Sequence, residues 1–497
     1  MLRFSHQSLR RYLGISFVFF IFVLVGNIAR LHSPDASLQN ALFHSMGRVL
    51  PDGQQPIPNP SCFADLDYLR RQEYDFTPEI IYQRRVMKAT LDDSVDRYEV
   101  DNVTQPLVRQ GDRLWQSNDC AGWVGQDVST TKPFEITVPP AFPDRRYPHL
   151  LFGVATTYER LVSSKPQFAH WLSRSGSTLV AVVIDAKEAG NKVDDLAIEY
   201  RNMGINLVIE HPWNPSVGAN EQHFTIVRDL LRHVTPYTEW VAIIDDDTFF
   251  PSLYSLSQAL NQYDPKLPAY LGGLSESFFA VEHHGVMAYG GAGVFLSVPL
   301  IAELDPAIDD CLNEGDVPQG DGLLRRCIYT RTKAKFTMVP GLQQIDLRGD
   351  LSGFYESGRL PLSLHHWKSW HDAAVDKMAK VSWFCGGCFL QRWRVGDDTV
   401  FTNGYSIAVY ENGTAEVPLN EIEGTWDDIG NTEWSLGPLR PAVNTDAKKS
   451  YFLVDAEQVG NNLRQIYVHR AREHNHEKKE HTEDCPRDEV IELWWEW

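Results

Sequence analysis

Trp240-Val-Ala-Ile-Ile-Asp-Asp-Asp247 is the stretch on which the reading of this chain turns. A short apolar run without a polar break fits a strand buried on both faces of a sheet. Three carboxylates follow it at once, Asp245, Asp246 and Asp247. In open α/β sheets, ligands bind beyond the carboxyl ends of the strands. Adjacent carboxylates there repel one another unless a cation or hydrogen bonds compensate. Mn²⁺ or Mg²⁺ does so with oxygen ligands and keeps positions open for phosphate oxygens. Alternation along an extended chain turns Asp245 and Asp247 the same way, so they are the expected ligand-facing pair. The plain alternative is a solvated acidic turn capping a helix that begins near Pro251.

Working outward, similar runs recur: LLFGVA from Leu150, TLVAVVI from Thr178 and INLVIE from Ile205. Between them Asp194–Asn202 and Phe224–His233 carry apolar residues at helical spacing. Short buried strands alternating with helices predict an α/β layer with a mainly parallel sheet, placed at 146–392. After about Trp393 short strands and turns predict a β-rich C-terminal extension with a charged tail, 393–497. Residues 29–60, rich in Pro, Gly and Ser, read as a stem or linker. Residues 61–145 show no clear period and are set apart as an N-terminal region.

Leu13 to Gly26 reads LGISFVFFIFVLVG. With its flanks (13–28 in the division used here) it is just long enough to cross a hydrocarbon core. Arg3, Arg10 and Arg11 precede it in a short tail, 1–12, which predicts a cytosolic N-terminus and a lumenal body. A cleaved signal peptide is the rival reading. Either sends the body into the secretory path; an anchored, single-pass type II protein of the Golgi membrane is the expectation. The sequons at Asn102 and Asn412, and seven cysteines, suit that compartment. Cys311 and Cys327 look like a local pair and Cys385/Cys388 like a tight structural bond, with Cys62 and Cys120 a further possible pair. Of the 497 residues, 66 are acidic and 46 basic, a net charge of −20. Such a surface repels phosphate backbones and argues against a nucleic-acid partner. A diphosphate ligand needs a local correction, and a bound metal is one way to supply it.

Other segments carry chemistry. Thr156 and Thr157 end the first strand of the α/β region, where hydroxyls cap a helix or meet a ligand. Tyr289-Gly-Gly-Ala-Gly293 leads into the apolar VFLS, and glycines there serve a tight turn or let backbone approach a ligand. The spacing is not that of a dinucleotide fingerprint. Asp321, in QGDGLLRRC, either caps a helix or acts as a base. Ser363-Leu-His365-His366 supplies two imidazoles, and neutral imidazole suits Mn²⁺ beside carboxylate oxygens. His371 reads as a surface bystander.

LLFGVATT (150–157), WVAIIDDDTFF (240–250), YLGG (270–273), YGGAGVFLS (289–297), GDGLLRRC (320–327) and SLHHW (363–367) occur in an order that resembles the Fringe-like β-1,3-glycosyltransferases, glycosyltransferase family 31. They look most like the fungal Fringe-like branch and the related mucin-type core galactosyltransferases. The resemblance covers residues 145–375. It implies a GT-A fold, a Rossmann-like nucleotide-sugar-binding domain. It also implies a UDP-sugar donor, Mn²⁺, inversion at the anomeric carbon and a glycan or glycoprotein acceptor. By resemblance Asp247 binds the metal with His365 completing its shell, Asp245 being the further ligand and His366 the reserve. Asp245 and Asp246, together with Thr156 and Thr157, line the nucleotide site. Gly291, Ala292 and Gly293 lie beside the donor sugar and acceptor. Asp321 is the catalytic base; many relatives have a second acid before it where this chain has Gly320, so Glu314 and Asp316 stand in reserve. Two other classes stay open: a GT-A-like sugar- or protein-binding module without catalysis, and a lumenal metallohydrolase.

Overall fold

In the computed structural model, residues 66–108, 113–116, 132–314, 320–427, 430–471 and 487–497 are described. The apolar segment 13–28, the stem, Cys62, Cys120, Asp316 and most of the charged stretch before the C-terminal strand lie outside them. Among the described residues no helix is long and apolar enough to cross a membrane.

Trp240–Ile244 is a strand with every residue buried. Trp240, Ala242 and Ile244 enter one core together with Phe152 and Val154. Val241 and Ile243 enter another, against Phe224, Val227 and Leu230 of the helix Ala219–Arg232. Period-two alternation splits the strand between two apolar layers, so the sequence itself shows no alternation.

Seven strands make this sheet, in the order Phe336–Met338, Tyr270–Gly272, Val294–Ser297, Trp240–Ile244, Leu150–Thr156, Thr178–Val183, Asn206–Glu210. Val294–Ser297 runs antiparallel to both neighbours, and the other pairings are parallel. The chain lays down Leu150–Thr156, builds outward through two strands, then returns to place Trp240–Ile244 on the other side of the first. Strand order reverses between those two strands, whose carboxyl ends are Thr156 and Ile244, the latter followed at once by Asp245. That is the topological switch point at which such sheets bind ligands. The mixed α/β architecture with a parallel core agrees with the sequence reading.

The rest of the fold departs from a domain with separate ends. Glu79–Leu91 pairs in parallel with Asp488–Glu496 within a ten-stranded sheet that also takes in Arg392–Val395, Thr399–Thr402, Ser406–Tyr410, Lys448–Val459 and Asn462–His469. Segments read apart in sequence are thus one sheet, and the apolar IELWWEW end is an interior strand of it. Trp393, Phe401 and Trp495 of this sheet share a core with Phe152 and Trp240 of the other. Asn102 and Asn412 are exposed, as sequon asparagines must be to accept a glycan. Cys311–Cys327 and Cys385–Cys388 are disulfides.

Candidate functional site

Beyond the switch point lies a cavity of about 1180 Å³, lined in part by Thr156, Thr157, Arg160, Asp245, Asp321 and His365. They arrive from the strand Leu150–Thr156, the helix Tyr158–Ser163 with its cap Thr157, the end of Trp240–Ile244, the helix Gly320–Arg331 and the turn at His365.

The three aspartates divide as alternation predicts. Asp246 borders the cavity but is itself buried, its carboxylate taken up by partners of its own. Arg160 grips both its oxygens, at 2.6 Å each, and the Thr156 hydroxyl donates to it as well. Asp245 and Asp247 face the opposite way, toward one imidazole: His365 Nε2 lies 3.2 Å from Asp245 Oδ2 and 3.1 Å from Asp247 Oδ1. His365 is delivered by a two-way backbone bridge. Phe249 N–H donates to Leu364 C=O and Leu364 N–H to Phe249 C=O, both at 2.8 Å. Trp367 Nε1–H donates to the Asp247 carbonyl at 2.6 Å and fixes the turn from the other side.

Gln344 C=O is 3.2 Å from His365 Nδ1. A carbonyl only accepts, so Nδ1 carries a proton, and Nε2 donates another to the two carboxylates; a carbonyl on the far nitrogen is also how metal-ligating histidines are oriented, Nε2 then being the ligand atom. Burial opposes charge on His365, but its hydrogen bonds to Asp245 and Asp247 push its pKa up to about 10. Burial likewise works against ionisation of Asp245. The His365 hydrogen bond and the His223 charge outweigh it and hold the carboxyl well below its usual range. The arrangement calls for positive charge between these groups, and a proton or a divalent cation supplies it. Donor atoms of Asp247, His365 and His366 lie within 4.8 Å of one another, so one ion can touch all of them. One carboxylate and two imidazoles suit Mn²⁺. His366, the sequence reserve, is thereby brought into the candidate ligand set, and Asp245 faces the same imidazole from the cavity side. Ile345 and His366, on either side of the site, hold left-handed backbone at φ 55° and 59°. Such positions cost on the order of 1–3 kcal/mol and gather at ligand clamps.

The glycine loop carries no polar side chain, yet its backbone is held throughout. Gly290 N–H donates to Asp321 Oδ2 at 2.8 Å, and Thr248 Oγ1 donates to Gly291 C=O at 3.0 Å. Ala292 N–H donates to Gln344 Oε1 at 2.8 Å, and Ser363 Oγ donates to Ala292 C=O at 2.7 Å. Gly293, at φ 94°, turns the chain into the next strand. Gly291, Ala292 and Gly293 are all buried. A Cβ on Gly291 would lie 2.1 Å from His365 Nδ1, so glycine is required for the ring to lie flat on the loop. Gly291→Ala must therefore displace the imidazole. A misplacement of about 1 Å in such a constellation lowers rates roughly 10²-fold. We expect Mn²⁺ affinity, read by calorimetry, to fall by about that factor while the circular-dichroism spectrum is kept.

Asp321 stands in the first turn of the helix Gly320–Arg331. It does not cap its own helix: its carboxylate holds Gly290 N–H with one oxygen and His223 Nε2 at 3.0 Å with the other. His223, from the helix Ala219–Arg232, also brings Nδ1 to 3.6 Å from Asp245 Oδ1 and so links the two acids. Burial disfavours its charge, but the Asp321 hydrogen bond and charge push its pKa up to about 9. A Cβ on Gly320 would meet Asn220 C=O at 2.5 Å, which is why no second acid stands there: the two helices touch. Glu314, a reserve base, is instead an exposed partner of Arg331.

Thr157 caps the helix Tyr158–Ser163 by accepting from Arg160 N–H, while Thr156 serves Asp246. His371, read as a surface bystander, is buried and lies 3.2 Å from the Tyr355 hydroxyl, because the turn after His366 folds inward. Sequence reasoning missed His223, Arg160, Gln344 and Asp346, whose Oδ1 lies 3.2 Å from His366 Nε2. None stands in a recognisable motif. The only signal was polarity at the edge of an apolar helix face for His223 and one turn past the strand end for Arg160.

A family model described as "Protein of unknown function, DUF604" matches residues 280–382, from the glycine loop through Asp321 to His365 and His366. No curated protein matches the chain. Among solved structures the chain is similar to the mannosyltransferase PcManGT from Pyrobaculum calidifontis, in complex with GDP-Man and Mn²⁺. Identity is 14%, over 45% of this chain and 63% of that one, at a TM-score of 0.27. It is similar to the glycosyltransferase GlyE of Streptococcus pneumoniae TIGR4 at 12% identity, over 48% of this chain and 59% of that one, TM-score 0.32. For the galactosyltransferase LgtC, in complex with donor and acceptor sugar analogs, the figures are 10%, 46% and 81%, TM-score 0.26. The chain spans less than two thirds of the length of the first two. Each likeness is partial.

Proposed function

We propose that this chain is a divalent-metal-dependent glycosyltransferase that moves a sugar from a nucleotide-sugar donor to a glycan or glycoprotein acceptor. The finer reading is that of the Fringe-like resemblance. It has a UDP-linked hexose or N-acetylhexosamine, a β-1,3 linkage formed with inversion, and a type II Golgi membrane protein with its catalytic body in the lumen. One observation carries the proposal. Asp245, Asp247 and His365 converge at the sheet's switch point, and Asp321 is mounted separately across the glycine loop in the same cavity.

Asp247, His365 and His366 would hold Mn²⁺, with Asp245 beside them. When bound, the metal supplies Lewis-acid charge to the diphosphate that leaves. Thr156, Thr157 and the Arg160 guanidinium, held in place by Asp246, line the nucleotide side. Asp321 takes the acceptor hydroxyl proton as that oxygen bonds to the anomeric carbon and the bond from carbon to phosphate oxygen breaks. His223 Nε2, 3.0 Å from one oxygen, positions the Asp321 carboxylate. Gly290 N–H fixes its direction.

The test is UDP release by the purified full-length chain across a panel of UDP-sugars, with Mn²⁺ and after chelation by EDTA. Release from one donor that stops with EDTA and returns with Mn²⁺ is expected. Release that ignores EDTA, or absence of both release and Mn²⁺-dependent UDP binding, would sink the reading. Turnover of simple phosphate esters instead would favour a hydrolase.

A further inference from the structure

The cavity has two walls of different chemistry. On one stand Thr156, Thr157 and Arg160. On the other, the helix Phe278–His284 presents Phe279, Ala280, His283 and His284. Residues four apart share a helix face, so the pairs Phe279/His283 and Ala280/His284 line the cavity together, and Glu282 falls off that face.

This helix does not behave as a core element. None of its residues is buried, and Phe279 is 69% exposed. Hydrogen bonds hold it in place. Phe278 N–H donates to Asn431 C=O at 3.2 Å, and Trp434 Nε1–H donates to Glu276 C=O at 2.9 Å, just before the helix. The Tyr289 hydroxyl lies 3.1 Å from Ala280 C=O and 3.3 Å from Gly285 C=O. Tyr289 is followed by Gly290, whose N–H is bound by Asp321. Consecutive residues therefore register the helix against the carboxylate that would take the acceptor proton. An exposed aromatic ring with two imidazoles, and no fixed charge on that face, fits a neutral sugar: the ring takes its C–H face and the imidazoles its hydroxyls.

We propose that Phe279, His283 and His284 form the acceptor platform, and that the acceptor terminates in a neutral saccharide stacked on Phe279. The inference deepens the glycosyltransferase reading and rests on it. The test has two arms, both on the full-length chain. In the first, saturation-transfer NMR follows binding of methyl glycosides of the common neutral hexoses and N-acetylhexosamines to the wild type, Phe279→Ala and Phe279→Trp. One or more glycosides should bind the wild type, with a Kd raised at least about tenfold in Phe279→Ala and restored in Phe279→Trp. In the second arm, Mn²⁺-dependent UDP release without acceptor is measured on the wild type, which tests the transferase reading by itself. Unchanged glycoside affinity in Phe279→Ala, or binding of none of the glycosides, overturns the platform. Absence of UDP release from the wild type overturns the transferase reading, while the NMR arm still decides the platform.

Discussion

Asp247→Ala should lose Mn²⁺-stimulated UDP release by about 10³-fold or more, a metal's charge on a leaving diphosphate being worth several kcal/mol. Asp247 is 4% exposed and offers one carboxylate oxygen to the place that His365 Nε2 also faces, at 3.1 Å. Removing it takes away an anionic ligand and leaves two imidazoles beside Asp245. The fold should be kept, because the lost contact with His365 is offset by relief of the repulsion between Asp245 and Asp247, and Asp245 still pairs with His365. Thermal melts separate the two effects. In the wild type, Mn²⁺ with UDP should raise Tm, since a ligand that binds only the folded state stabilises it. In Asp247→Ala the melting temperature without ligand should be close to that of the wild type and the ligand-induced rise should vanish. A variant that keeps the rise would exclude Asp247 as a ligand.

Asp321→Asn should show the opposite pattern. The amide keeps an oxygen to accept from Gly290 N–H and has nearly the shape of the carboxylate, so the loop and the helix stay in register. It cannot take a proton. General-base catalysis contributes roughly 10²–10⁴-fold, and transfer to acceptor should fall by that amount. Binding of Mn²⁺ and UDP, measured by calorimetry, should remain as in the wild type, because Asp321 contacts the metal cluster only through His223. Normal transfer by Asp321→Asn would place the base elsewhere.

These two variants probe opposite sides of the glycine loop. Gly290 lies against Asp321 and His223, and Gly291 lies against His365. The loop is the septum between the expected metal ligands and the expected base, and it is made of glycine because side chains press on it from both sides. Its sequence announced a close approach of backbone to something. That the approaching groups are the protein's own histidine and aspartate is a finding of the structure.

Much of the α/β region was legible because its signals are local. Trp240–Ile244, the helix Lys192–Asn202 and the strand Val294–Ser297 were marked by apolar runs and helical spacing. Alternation was enough to turn Asp246 away from Asp245 and Asp247. The order of the motifs brought Asp321 and His365 forward as candidates before their distance from the aspartates was known. His223 and Arg160 left no such trace: a histidine near the start of a helix looks like solvated surface until another helix is laid against it.

What the sequence alone determined is therefore the buried strands, the helices between them and the residue types able to hold a cation. Hydrophobic period and turn chemistry act within a few residues. What only the tertiary structure decided is which distant segments meet. Glu79–Leu91 pairs with Asp488–Glu496, and His365 meets Asp247 through the bridge between Phe249 and Leu364. No local pattern encodes such pairings, because strand hydrogen bonds and ion pairs are made between groups that only folding brings together.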